Sequence, residues 1–292
     1  MKKIIAYLTI SILLCSCEFE KEIDYRTIYD GDKLIVHGFI SPQDGIRVIV
    51  KKTVPPNDMN GNDKVSNATV SVFEGDKQIA VLKSENNYLF VSDESFVPEL
   101  GKKYFVRVKS DGMAEIRSSA QLLIPETPID SFRIVPDPFS NFMQMIVFFT
   151  NKNPLNYAYY FKMISYQDTD DNENPVWESI EFFNPYGTIE NIVSNFNATE
   201  NPIYNTCDSI QVELFVLSPD LSLFLESQRK FESSKDDPFF DRPYPVFSNI
   251  DGGFGIFGAY SVYRKMVYRH RVVPFSNFAE IVNNHKFLIS NK

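Results

Sequence analysis

From residue 33 to residue 125, apolar and polar positions alternate in short runs, and a turn signal recurs roughly every ten residues. Lys33–Ile40 sets Leu34, Val36 and Gly38 against Ile35, His37 and Phe39, an apolar stretch with imperfect alternation. Arg47–Thr53 sets Val48 and Val50 against Ile49 and Lys51. Asn67–Phe73 and Gln78–Lys83 flank Glu74-Gly75-Asp76-Lys77, a hairpin turn. Tyr88–Val91, Lys103–Lys109 and Met113–Arg117 continue the series, the last entered through Ser110-Asp111-Gly112. Period-two strands with no helical pattern between them predict a sandwich. The stretch Asn67–Val108 resembles the immunoglobulin-like or carboxypeptidase-regulatory sandwiches of cell-surface proteins, a likeness of fold that says nothing specific of function.

Leu123-Ile124-Pro125-Glu126-Thr127-Pro128 is the expected domain boundary, because two closely spaced prolines stiffen a linker. The strands beyond it are longer and more aromatic: Met143–Thr150, Tyr157–Tyr166, Val176–Phe183 and Ile210–Leu217. Tyr157, Tyr159, Phe161 and Met163 alternate with Tyr160, Ile164 and Tyr166, so this strand needs cover on both faces. One helix stands out. Ser218-Pro219-Asp220 supplies an N-cap, a proline at the first helical position and an early acid. Leu221, Phe224, Leu225, Gln228 and Phe231 then recur at helical spacing and place the helix near 219–233, packed on a sheet. The chain is therefore expected to be all-β with a short helix: a sandwich over 33–125, then a larger β-rich domain over 126–292.

The N-terminus changes the picture from a globular body to an anchored one. Met1-Lys2-Lys3 and the apolar run Ile4–Leu14 match a secretory signal, too short for the roughly 20 apolar residues of a membrane span. Leu14-Cys15-Ser16-Cys17 resembles the lipobox of bacterial lipoproteins, which implies a signal peptide over 1–16, cleavage after Ser16 and acylation of the Cys17 thiol. Residues 17–32 then form a tether in which Glu18, Glu20, Glu22 and Asp24 resemble the acidic tract of surface-exported lipoproteins. Loss of Lys2 and Lys3 with the signal moves the net charge from −9 to −11, which argues against a nucleic-acid partner. Cys207 is left without a partner cysteine and reads as a small core residue.

Candidate chemistry is sparse. His37, His270 and His285 fall in no metal or hydrolase motif, and no nucleophile elbow or phosphate-binding glycine loop occurs. Neither an enzyme nor a cofactor is expected. Asp168-Thr169-Asp170-Asp171-Asn172-Glu173-Asn174 resembles a calcium loop only partly, since Glu173 and Ser179 stand where an EF-hand wants Gly and Glu. Asp58, Asn60 and Asn62 match in part too, and both segments read as exposed loops without metal. Trp177, Phe182, Phe183 and Tyr186 offer rings for sugar stacking, although a Phe-rich chain needs its rings first for the core.

The most distinctive stretch is Asp236–Ser261. Asp236-Asp237-Pro238-Phe239-Phe240-Asp241-Arg242-Pro243 leaves little room for regular structure. Gly252, Gly253, Gly255 and Gly258 then interleave with Phe254, Ile256 and Phe257, which reads as a buried glycine-rich turn entering a last strand, Ala259–Val267. Asp237, Pro238, Phe239, Phe254 and Phe257 are the candidate partner contacts. The helix, the Asp-Pro-Phe step, the Pro before Val246 and Asn249-Ile250 leading into Gly253-Phe254-Gly255-Ile256-Phe257-Gly258-Ala259 are similar to the C-terminal signature of family 4249 of domains of unknown function. Gly38 in the first strand and Thr53-Val54-Pro55-Pro56 match further features of that family, and the resemblance covers roughly 18–285. It implies a Bacteroidota outer-membrane lipoprotein facing the cell exterior, encoded near TonB-dependent transporters. The expected function is an accessory or binding subunit of an outer-membrane β-barrel in nutrient uptake, with a small-molecule or polymer ligand left open. The alternative is a structural or assembly accessory, or an adhesin, with no small ligand.

Overall fold

The computed structural model describes residues 29–268, apart from 57, 59, 60, 66, 87, 137–141, 152–156, 170–171, 184–188, 198–208 and 235–243. Nine strands precede the prolines: β1 Leu34–Ser41, β2 Gly45–Lys52, β3 Thr69–Glu74, β4 Lys77–Val81, β5 Lys83–Ser84, β6 Leu89–Val91, β7 Lys103–Lys109, β8 Ile116–Ser118 and β9 Gln121–Leu122. After them come β10 Ile129–Pro136, β11 Phe142–Thr150, β12 Ala158–Thr169, β13 Asn172–Phe183, β14 Ile189–Asn197 and β15 Ser209–Leu217. Helix α1 (Pro219–Ser234), β16 (Ile250–Asp251) and β17 (Phe254–Tyr268) complete the described chain. The fold is all-β with a sandwich-type arrangement, as the alternation predicts.

One long sheet organises the molecule, in the order β13-β12-β15-β17-β1-β2-β6-β5. It joins both halves of the sequence because β17 pairs with two partners. Phe254–Ala259 runs parallel to β1, with Ile35 opposite Phe254 and Gly38 opposite Phe257. Tyr260–Tyr268 runs antiparallel to β15, from Leu217 opposite Tyr260 to Ser209 opposite Tyr268.

Two smaller sheets pack on one face of this wall, and the helix covers part of the other. The order β16-β8-β7-β3-β4 forms the first smaller sheet, with β9 against β7. Its Val70, Val72, Val106, Val108 and Ile116 meet Val36, Ile40, Val48, Val50, Phe257 and Ala259 of the long sheet. The second, β10-β11-β14, encloses Val147 and Phe149 with Tyr159, Phe161, Met163, Val212, Leu214 and Val216. Core allegiance changes between Leu123, which belongs to the first core, and Ile124, which belongs to the second. Each large apolar side chain buried this fully stabilises the fold by about 1.5–3 kcal/mol.

On the opposite face, α1 lays Leu221 and Phe224 against Ile256 and Leu217, with Phe39, Tyr160, Phe215 and Tyr260 around them. The helix thus lies on the sheet at the predicted residues. Strand β12 is covered on both sides, Tyr159, Phe161 and Met163 entering the second core while Tyr160 packs beneath the helix.

The glycine-rich segment departs from the expected turn. The turn is confined to Gly252 and Gly253, and Gly255 and Gly258 lie inside β17. Close approach explains both. At Gly255 (φ +107°) a Cβ would stand 2.0 Å from the Val36 carbonyl oxygen, and at Gly258 it would stand 2.7 Å from Leu221 Cβ. A glycine here lets β1 and the helix reach the strand from two sides.

Candidate functional site

The segment that leads from α1 into β17 is tied down by a polar joint built from three distant parts of the chain. Asn249 reads the backbone of Phe257 with both ends of its amide: Nδ2 donates to the Phe257 carbonyl at 2.9 Å and Oδ1 accepts from its N–H at 2.9 Å. The main chain closes the same turn, the Asn249 N–H donating to Gly255 O at 3.2 Å and the Ser119 N–H donating to Asn249 O at 2.9 Å.

Asp220, in the first turn of α1, sits at the centre of the joint. Its Oδ2 accepts from Ser119 Oγ at 2.5 Å, Gln121 Nε2 at 2.7 Å and Asn249 Nδ2 at 2.9 Å. Burial alone raises a carboxyl pKa, but the hydrogen bonds from Ser119, Asn249 and Gln121 outweigh it and hold Asp220 below the usual carboxylate range. Ser218 occupies the N-cap position, yet its hydroxyl is turned away from the helix. It donates to Gln121 Oε1 at 2.8 Å and accepts from the Ala259 N–H at 3.1 Å. The residue foreseen as a cap therefore stitches the helix start to β9 and β17.

A second joint lies farther along β17. Arg264 forks onto Asp44, in the β1–β2 turn, at 3.1 and 3.0 Å, and its Nε donates to Glu213 at 2.8 Å. The Tyr260 hydroxyl donates to Asp44 Oδ2 at 2.8 Å. Burial opposes the charge on Asp44, and the donors Arg264 and Tyr260 overcome it, so its pKa is lowered; burial and Asp44 push the Tyr260 phenol well above its ordinary value. Asp220 and Asp44, the carboxylates at the centres of these joints, are thus held ionised by surrounding donors. Such an arrangement fixes strands in register and presents no proton poised for transfer at neutral pH.

The candidate residues separate by parity along β17. Phe254 is 47% exposed, and Lys33 Nζ lies 5.7 Å from its ring centroid. Phe257, three positions on, is 0% exposed and belongs to the first core, its ring filling the space above Gly38. The expectation that Phe257 touches a partner is therefore corrected: alternation puts it on the inner face, and Phe254 keeps an outward one. Asp237, Pro238 and Phe239 lie outside the described residues, as do Cys17, Glu18, Glu20, Glu22 and Asp24 of the tether, Cys207, His270, His285 and Tyr186.

The same holds for Asp170 and Asp171 of the acidic loop, and the side chains of Asp168, Trp177, Phe182 and Phe183 are likewise outside. In the other acidic segment Asn60 is outside too, while Asn62 Oδ1 accepts from the Lys64 N–H at 3.0 Å. Among the described residues no group of three or more His, Cys, Asp or Glu is placed to hold a metal. His37 is exposed on the helix side of the long sheet, its ring 5.7 Å from that of Phe224.

Ser119, Gln121, Glu213, Arg264 and Asp44 carry no local motif. Apart from the local contacts of Gln121 with Ser119 and of Glu213 with Gln211, the bonds that build the joints join residues 51 to 220 positions apart along the chain, so only the fold brings them together.

A family model described as "Domain of unknown function (DUF4249)" matches residues 19–266. No curated protein matches the chain. Among solved structures, a DUF4785 family protein from Legionella pneumophila is 12% identical over 64% of this chain, with a TM-score of 0.24. The chain spans about half of that protein's length, 52%. A chain of a cytokine receptor complex is 8% identical over 63% of this chain and 90% of its own, also at 0.24. The CBD12 domain from CALX1.2 is 11% identical over 80% and 100%, at 0.15.

Proposed function

This chain belongs to the DUF4249 family, and from that premise we propose that it is a surface-exposed outer-membrane lipoprotein that serves as an accessory or binding subunit of a β-barrel, a TonB-dependent transporter engaged in nutrient uptake. The observation that carries the reading is Leu14-Cys15-Ser16-Cys17 directly behind a short basic and apolar leader. Acyl chains on Cys17 tether the body to the bilayer through a linker that carries the acidic run Glu18–Asp24. Among the described residues, no helix is long and apolar enough to cross a membrane.

A binding role rather than a catalytic one fits the chemistry of the two joints. Their carboxylates each accept several hydrogen bonds that tie distant parts of the fold together. An all-β body on a lipid tether is suited to presenting a surface to a membrane neighbour.

The test is to tag the protein at Lys292, solubilise outer membranes mildly and identify what co-purifies. A stoichiometric TonB-dependent transporter is the expected result. A different barrel, such as an assembly machine, would move the protein to the structural-accessory class. Recovery solely with inner-membrane material would remove the reading altogether.

A further inference from the structure

The outer face of the six-element sheet, turned away from both cores, carries a run of cations in an acidic protein. On β7 the residues Lys103, Phe105, Arg107 and Lys109 alternate outward, while Tyr104, Val106 and Val108 enter the first core. Register places Phe73 beside Phe105, Ser71 beside Arg107, and Arg117 of β8 on the other side of Arg107. The Phe73 and Phe105 rings stack nearly parallel, 8° apart with centroids at 5.0 Å. Both guanidiniums lie over this pair: Arg107 is 4.6 Å from the Phe73 centroid and Arg117 is 3.9 Å from that of Phe105. Only 8% of Phe73 and 2% of Phe105 stays exposed, so the arginines form the actual surface.

Among the described residues, none of these cations has a carboxylate partner within 4.0 Å. Among the described residues, Lys33, Lys51, Lys52, Lys83, Lys102, Lys230 and Arg264 are in ion pairs; Lys103, Arg107, Lys109 and Arg117 are in none within 4.0 Å, and neither are the scattered Arg47, Lys64, Lys77 and Lys265. Asp251 stands opposite Arg117 in the β16–β8 register and still makes no such pair. Covering two phenyl rings explains the arginine stems. It does not explain four cations without an acid in a chain of net charge −9.

We propose that this face is the docking surface for an acidic segment of a partner protein, whose carboxylates are taken by Arg107 and Arg117 and whose flanks meet Lys103, Lys109 and Val81. A guanidinium held over a ring has one face covered and keeps its in-plane N–H fork available, and that fork matches a carboxylate bidentately. The outward run from Lys103 to Lys109 extends about 20 Å along the strand, the reach of a short extended peptide. Val81, 52% exposed, lies in the same row as Ser71 and Arg107 and adds an apolar contact. Arginine over aromatics with an apolar neighbour is the composition of a protein interface. A long polyanion or an anionic bilayer would instead extend past the patch and meet the acidic remainder of the surface. The inference rests on the accessory-subunit reading only for which protein supplies the segment.

The full lipoprotein in mild detergent is titrated against a fluorescent decaglutamate peptide, with inorganic phosphate and phosphatidylglycerol vesicles as competing chemistries. Saturable, salt-sensitive peptide binding is expected, weakened about tenfold or more by Arg107→Met with Arg117→Met. Methionine keeps the apolar cover over the rings, so the melting temperature should hold. Should that pair not fold, Lys103→Gln with Lys109→Gln, both exposed, should weaken binding about threefold. Arg47→Met, on the long sheet, should leave it unchanged. Absence of saturable peptide binding, an equal loss with Arg47→Met, or preference for vesicles or phosphate would overturn the proposal. Its failure would leave the co-purification test of the subunit reading untouched.

Discussion

The two halves of β17 solve the same packing problem in opposite ways. Phe254–Ala259 is glycine-rich, runs parallel to β1, and lets neighbours come to its backbone, with the Val36 carbonyl pressed on Gly255 and Leu221 on Gly258. Tyr260–Tyr268 has no glycine, runs antiparallel to β15, and meets its neighbours through Tyr260, Tyr263 and Arg264. The first half needs room beside the main chain, the second side-chain volume and charge. One strand can therefore belong to two cores, and sensitivity to substitution should change in kind at Ala259.

The largest effect expected is Gly255→Ala. The added Cβ would overlap the Val36 carbonyl at 2.0 Å in a backbone of φ +107°, so β1 and β17 must part, costing more than about 4 kcal/mol. Thermal melts of the protein should show loss of the folded state, and a native-like melt would break the distinction between the halves. Phe257→Ala should cost about 3–5 kcal/mol, read as a fall in denaturant midpoint at unchanged slope. Phe254→Ala, on the exposed side of the same strand, should cost less than about 0.5 kcal/mol; equal losses would mean the parity assigned to these two rings is wrong.

Asn249→Ala removes the amide that pairs with Phe257 and leaves that backbone and Asp220 short of a partner, costing about 1–3 kcal/mol. The smallest effect concerns pH. Asp44 and Asp220 both have pKa values lowered in the folded state, so their stabilisation is complete above the ordinary carboxylate value of about 3.9. It is lost as pH falls through the lowered values. Asp220→Asn should flatten the acid limb of a stability–pH curve and lower its neutral plateau, leaving the slope near neutrality unchanged. A variant that alters the curve only above pH 7 would contradict the assigned direction.

Much of the first core was legible in the alternation, because β2, β3 and β7 each present a buried face with period two. Helix α1 was legible as well, since Pro219 and the Leu221–Phe224–Leu225 spacing are local signals. The parallel pairing of β1 with β17 was not, because residues more than 200 positions apart leave no mark on each other's local pattern. For the same reason the glycines read as a turn: their need is for room beside Val36 and Leu221, and neither is a sequence neighbour. Phe254 and Phe257 looked equivalent until the register showed that an odd separation puts them on opposite faces. The Arg107–Arg117 surface was half visible, as the outward stripe Lys103-Phe105-Arg107-Lys109 follows from alternation while its second arginine arrives from β8.

The central claim, a lipoprotein anchored through Cys17 and facing the cell exterior, is tested most directly by adding protease to intact cells that carry the protein tagged at Lys292. The account predicts that the tag is removed from outside while periplasmic markers stay whole, and that Cys17→Ala releases the protein from the membrane fraction. A tag protected until the outer membrane is opened, or a Cys17→Ala protein still held in that fraction, would contradict it.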